Sequence, residues 1–238
     1  MYTVLLNACF PVIATIIGAS VVLLYKTPSP VVRGFLQHLA AGVVFSVVSV
    51  ELLPDIIKRH APIYVVLGFG VGVLAMLWIK SLAKTLEAKE NKKSGFPTAM
   101  VTAVAVDVLL DGFLIGIGFA AGAKEGQLLT TALTIELLSL GLAIAIELSE
   151  YGLSKATVMK TVAGISSLIL LGTVIGVFVL AKAPDVLMET VLSFGLAALL
   201  FLVTEELLLE AHEQPETPAT TAAFFLGFLT LLVVGMLA

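Results

Sequence analysis

From LLNACFPVIATIIGASVVLLY near the start to FFLGFLTLLVVGMLA at the end, apolar runs recur along the whole chain. Each holds about 20 residues, enough to cross the roughly 30 Å hydrocarbon layer of a bilayer as a helix. A segment in lipid must satisfy its own backbone N–H and C=O groups, and a helix does so without help from neighbours. Of 238 residues, 59% are hydrophobic and 13% charged, which leaves little chain for a soluble domain. The sequence therefore predicts an all-α integral membrane protein, a single transmembrane domain over 1–238, in contact with a lipid bilayer. Apolar runs read against Gly, Pro and charge clusters give eight transmembrane helices, at 3–25, 34–53, 62–82, 98–122, 128–150, 157–181, 187–210 and 219–238. The one long polar connection, KSLAKTLEAKENKKSGFP, predicts a cytoplasmic loop over 83–97.

The first run lacks a positive n-region and exceeds the usual signal-peptide core, so it reads as a span. A lone Cys9 forms no intramolecular disulfide, and no basic run suggests nucleic acid. Eight spans put both termini on one side. Nine of the 13 basic residues, Lys26, Arg33, Lys80, Lys84, Lys89, Lys92, Lys93, Lys155 and Lys160, gather at the other side. Lys58, Arg59, Lys124 and Lys182 lie with the termini. The bias predicts a multi-pass protein of the cell (inner or plasma) membrane with both termini extracytoplasmic.

Two pairs of segments match at a distance. ELLPD at 51–55 resembles ELLLE at 206–210, and LGF at 67–69 resembles LGF at 226–228, offsets of 155 and 159 residues. Helix 2 and helix 7 run in opposite directions. Helices 1–3 (1–82) and 6–8 (157–238) are therefore expected as an inverted repeat around helices 4 and 5 (98–150), a 3+2+3 arrangement common among secondary transporters.

Helix 4 carries AVDVLLDGFLIGIGF, with Asp107 and Asp111 four residues apart and so on one face. An ionised carboxylate near mid-membrane costs about 2.5–3.5 kcal/mol on insertion scales. Glu136 of helix 5 adds a third acid on an antiparallel neighbour. Neither helix holds Lys or Arg, so three outcomes stay open: a shared cation, a proton on one acid, or a wet rim around Glu136. Gly112, Gly116, Gly118 and Gly122 give helix 4 small-residue pairs for close helix packing. Glu51, Asp55, Glu147, Glu150, Glu205, Glu206 and Glu210 read as solvated helix ends, with Glu51 and Glu206, as repeat equivalents, able to line a pathway. His38, His60 and His212 fall at helix ends or loops.

The chain resembles the ZIP (zinc/iron-regulated-transporter-like) metal transporter family, in its divergent GufA-like prokaryotic branch. The resemblance rests on HLAAGVVFSVVSVELLPD, DVLLDGFLIGIGFAAG, GLAIAIEL, FGLAALLFLVTEELLLEAHE and FFLGFLTLLVVGMLA, the fourth being similar to the family's EELIPEAH signature. It implies eight helices and transport of divalent metal ions through a site between helices 4 and 5. The family's His-Asn-x-Pro-Glu-Gly becomes Asp107 to Gly112 here, keeping ionisable groups at Asp107 and Asp111 and losing Asn to Val108. The helix 5 counterpart runs from Glu136 to Gly141 and keeps Glu136 alone. The resemblance places the helix 6 glutamate position at Ser167 and a helix 2 donor position at Val44. The metal ligands expected are thus Asp107, Asp111 and Glu136, a single-metal site in which one cluster replaces two, with Glu51, Ser167 and Glu206 along the pathway.

An all-oxygen set without histidine is harder than the family norm and shifts preference towards manganese, ferrous iron or magnesium, while zinc and cadmium also accept carboxylates. The expected function is uptake of a divalent cation into the cytoplasm, the ion being substrate and no cofactor being required. A homodimer is compatible with such a fold. Two other readings compete: a related transporter of a proton, monovalent or organic cation, and a non-transporting scaffold or sensor. An enzyme is not expected, because Asp-x-x-x-Asp stands here without the Ala-Arg pair of membrane phosphotransferases, and the Gly-x-Gly-Asp context of intramembrane aspartyl proteases is absent.

Overall fold

The computed structural model describes residues 1–25, 27–89, 95–180 and 183–237. Among them all regular structure is helical, and eight helices are long and apolar enough to cross a membrane: α1 (Tyr2–Leu24), α2 (Pro30–Arg59), α3 (Pro62–Lys89), α4 (Thr98–Ala121), α5 (Ala123–Glu150), α6 (Lys155–Leu180), α7 (Val186–His212) and α8 (Pro218–Leu237). The chain is a multi-pass membrane protein. Lys26, Lys92, Lys93 and Lys182, on which the charge count partly leans, lie outside the described residues, as does 90–94 of the expected loop.

Several ends differ from the sequence reading for local reasons. The second helix starts at Pro30 rather than 34, because Ser29 caps it by accepting from the Val32 N–H and proline suits the first helical position. It continues beyond 53 to Arg59, where His60 in the left-handed conformation (φ 55°) stops it. The third helix runs on to Lys89, so the first part of the expected loop 83–97 is helical; its Lys, Leu, Ala and Glu residues are strong helix formers. Only Gly122 separates α4 from α5, which starts at Ala123 rather than 128.

Both α2 and α7 contain a wide π-helical turn, at Val48–Leu52 and Leu202–Leu207. In α2 the wide turn runs directly into Pro54, which lacks the N–H that a regular helix would use there.

The helices pack in four close pairs, α1 with α5, α4 with α6, α2 with α8 and α3 with α7. Glycines make the closest crossings. A Cβ on Gly18 would strike the Leu138 carbonyl and one on Gly141 the Thr15 carbonyl, between α1 and α5. Between α4 and α6, Gly172 stands in the same way against Leu109 and Gly112 against Ile169. Gly68 of α3 meets the Thr190 carbonyl of α7, and Gly227 of α8 meets the Leu39 carbonyl of α2. The core lies where α2, α4, α5 and α7 meet, around Val44, Val47, Val108, Leu133, Leu137 and Leu199. Exposed apolar side chains such as Ile13 and Ile17 of α1, Leu74 and Trp78 of α3 and Leu229 of α8 face outward, the lipid side of a membrane bundle.

Candidate functional site

Asp107 and Asp111 follow from one face of α4, and the short link at Gly122 sets α5 antiparallel beside it, bringing up Glu136. The third contributor is α7. Its wide turn lets the consecutive residues Glu206 and Leu207 face the same space, with Glu210 one turn on. That space is a cavity of about 280 Å³, open towards the end of the bundle opposite the termini. Asp107, Glu136, Ser139, Glu206, Glu210 and Gln37 of α2 supply its polar lining.

Asp111 lies deeper than the lining. It and Glu136 are each 2% exposed, and Asp111 Oδ2 and Glu136 Oε2 are buried without a hydrogen-bond partner. Glu136 is within electrostatic range of Asp111, Asp107, Glu206 and Glu210, and Asp111 is within range of Asp107 and Glu206. The three acids singled out from the sequence are therefore neighbours in one acidic region. Among the described residues, no three His, Cys, Asp or Glu side chains stand close enough together to hold one metal ion.

A cation arrives from α3. Lys80 lines the cavity, donates to Glu205 Oε2 at 2.8 Å and lies 5.4 Å from the centre of the Phe201 ring. It is also within electrostatic range of Glu206. At the mouth, Gln37 Nε2 donates to Glu210 Oε2 at 2.8 Å. Gln37→Leu is expected to lower stability by about 1 kcal/mol, a typical hydrogen-bond contribution, measured as a shift of the thermal unfolding midpoint; an unchanged midpoint would show that the bond adds nothing.

The chain matches no family model and no curated protein. Its chemistry has to be read from its own residues.

Two of the expected pathway residues do not line this cavity. Glu51 sits towards the other end of the bundle, its side chain 12% exposed, with Lys124 Nζ 3.7 Å from Oε1. Ser167 is exposed on α6 and donates to the Gly164 carbonyl at 2.6 Å, so it is not brought to the acids. Glu206 does join them. Val44 is fully buried in the core. His38 is not at a helix end: it is buried inside α2, its Nδ1 2.8 Å from the Gly34 carbonyl and its ring edge-to-face with His212 at 5.3 Å.

Gln37, Ser139, Lys80 and Glu210 were not picked out from the sequence as site residues. For Glu210 a signal existed, since it lies four residues after Glu206 and so on the same face. It is exposed, as a helix-end residue should be, but into the cavity.

Proposed function

We propose that this chain is a divalent metal ion transporter of the ZIP type, carrying its ion into the cytoplasm, with Asp107, Asp111 and Glu136 as the ligand set. The observation that carries this reading is the pair of partnerless, buried carboxylate oxygens on Asp111 and Glu136, on adjacent helices beside an acid-lined cavity. Isolated charges in a dry interior are costly, and buried charges are normally paired or bound to metal. A divalent cation between α4 and α5 removes that cost. Glu206 and Glu210 then offer oxygen donors on the way out, one helical turn apart, so that the ion leaves its deep ligands for wetter ones.

The spacing of the glycine crossings supports an inverted repeat. Asp107 and Glu136, Leu109 and Leu138, and Gly112 and Gly141 all differ by 29 residues, while Thr15 and Ile169, like Gly18 and Gly172, differ by 154. The α1–α5 and α4–α6 contacts thus use corresponding residues, and the wide turns of α2 and α7 coincide with the matched ELLPD and ELLLE segments. Opposed halves of this kind give two related shapes, open to one side or the other. The carboxylate-only set favours manganese, ferrous iron or magnesium, with zinc and cadmium also bound. In this reading the termini lie outside and the cavity opens to the cytoplasm.

One observation favours a second reading. The cavity exceeds what a bare ion fills, and among the described residues no three acids converge at ligating distance, which suits a hydrated monovalent or a small organic cation. Uptake into proteoliposomes separates the two. Accumulation of manganese, iron, zinc, cobalt, cadmium or magnesium above protein-free vesicles upholds the metal reading. Accumulation of none of these, together with influx of a monovalent or organic cation, replaces it with the second.

A further inference from the structure

Glu51 and Glu206 are equivalent in the repeat, each lies in a wide π-helical turn, and each has a lysine within electrostatic reach. Their states differ. Towards the end that carries the termini, Lys124 Nζ is 3.7 Å from Glu51 Oε1. A Cβ on Gly235 of α8 would lie 3.1 Å from the same oxygen, so Glu51 is held between α8 and the start of α5. Towards the opposite end, Lys80 is turned aside onto the carboxylate of Glu205, at 2.8 Å, and its carbonyl, at 3.4 Å, and Glu206 is left facing the open cavity. One glutamate is tied, its side chain 12% exposed. The other is untied and its side is open. The two lysines come from positions that do not correspond in the repeat, the far end of α3 and the first turn of α5, so sequence similarity between the halves does not account for them.

Resting on the transport reading above, we propose that Lys124 and Lys80 are alternating latches: each ties the pathway glutamate of its own side while that side is closed and releases it when that side opens. An ammonium on a flexible four-carbon stem suits this role, since it is a mobile point charge with three donors. Lys80 needs only to exchange Glu205 for its sequence neighbour Glu206, in whose cavity it already stands. Lys124 leaving Glu51 would expose a carboxylate to ions arriving from the other side. Neither lysine touches the deep ligands. Both are positioning residues, acting through the glutamates.

The test reads cavity opening directly. In a Cys9→Ser background, Ala103→Cys places a thiol on the cavity wall, and its labelling rate by a charged maleimide is measured on detergent-purified, ion-free protein, with Ala83→Cys as a second reporter. Lys124→Met and Glu51→Gln should each shift the balance towards closure of the cavity and slow labelling about two- to fivefold, the population change matched to a surface-type ion pair. Lys124→Arg should restore the parent rate, and Lys80→Met should leave labelling as fast as the parent or faster. Unchanged labelling in both Lys124→Met and Glu51→Gln overturns the latch, even if metal uptake is intact. The expected slowing in a protein that takes up no metal ion upholds the latch and overturns the metal reading.

Discussion

Asp111→Ala is expected to abolish metal uptake, at least tenfold below the parent rate, while making the ion-free protein more stable. Asp111 is 2% exposed and its Oδ2 has no hydrogen-bond partner, and a carboxylate at mid-membrane depth costs about 2.5–3.5 kcal/mol on insertion scales. Removing it relieves that cost and sacrifices some packing, for a net gain of about 1–2 kcal/mol, read as a higher thermal unfolding midpoint in chelator. Metal should then separate the proteins in the opposite sense. A ligand at 100 times its Kd stabilises the parent by about 2.7 kcal/mol, and the variant should gain nothing. A parent-like uptake rate in Asp111→Ala would remove Asp111 from the ligand set. A lower midpoint in chelator would mean that the carboxyl is well satisfied in the ion-free protein.

The second large effect comes from a single methyl group. In Gly112→Ala the new Cβ strikes the Ile169 carbonyl and comes 2.8 Å from the Ile169 Cα. Both obstacles are backbone, so no side chain can turn away, and α4 must separate from α6. Overpacking of this kind costs about 3 kcal/mol, and because Gly112 directly follows Asp111, the shift also displaces the site. Folded yield and uptake are expected to fall together. Gly164→Ala on α6 is the control: nothing lies within 4 Å of its Cβ, and alanine at an exposed helical position should gain up to about 1 kcal/mol. Equal stabilities of the two variants would show that the α4–α6 crossing is loose.

The eight spans were legible because hydropathy over 20 residues is a strong signal, and the same signal blurs at the ends, where the good helix formers of KSLAKTLEAK carry α3 past the point at which its apolar run stops. Asp107, Asp111 and Glu136 stood out for an energetic reason, since charges deep in apolar runs need an explanation. Gln37, Lys80 and Glu210 did not, because a polar residue within two turns of a helix end looks the same in sequence whether it meets bulk water or a cavity. Ser167 was placed by resemblance across a helix with no polar motif of its own, and the helix turns that position outward. The wide turns were not picked out, although Pro54 and the matched ELLPD and ELLLE segments lie at them. An extra residue in a helix changes neither composition nor hydropathy.

Those turns nevertheless set the direction of everything beyond them. A regular helix rotates about 100° per residue, so one added residue re-phases the remainder of α2 and α7 against their own first halves. Each helix can thereby keep its apolar stripe against lipid and neighbours along one line and aim its acids along another. Deleting one residue from 48–52 or 202–207 would leave hydropathy almost untouched and swing Asp55 or Glu210 by a quarter turn. The register of the helix face in these two stretches therefore matters to the site as much as the identity of the acids it presents.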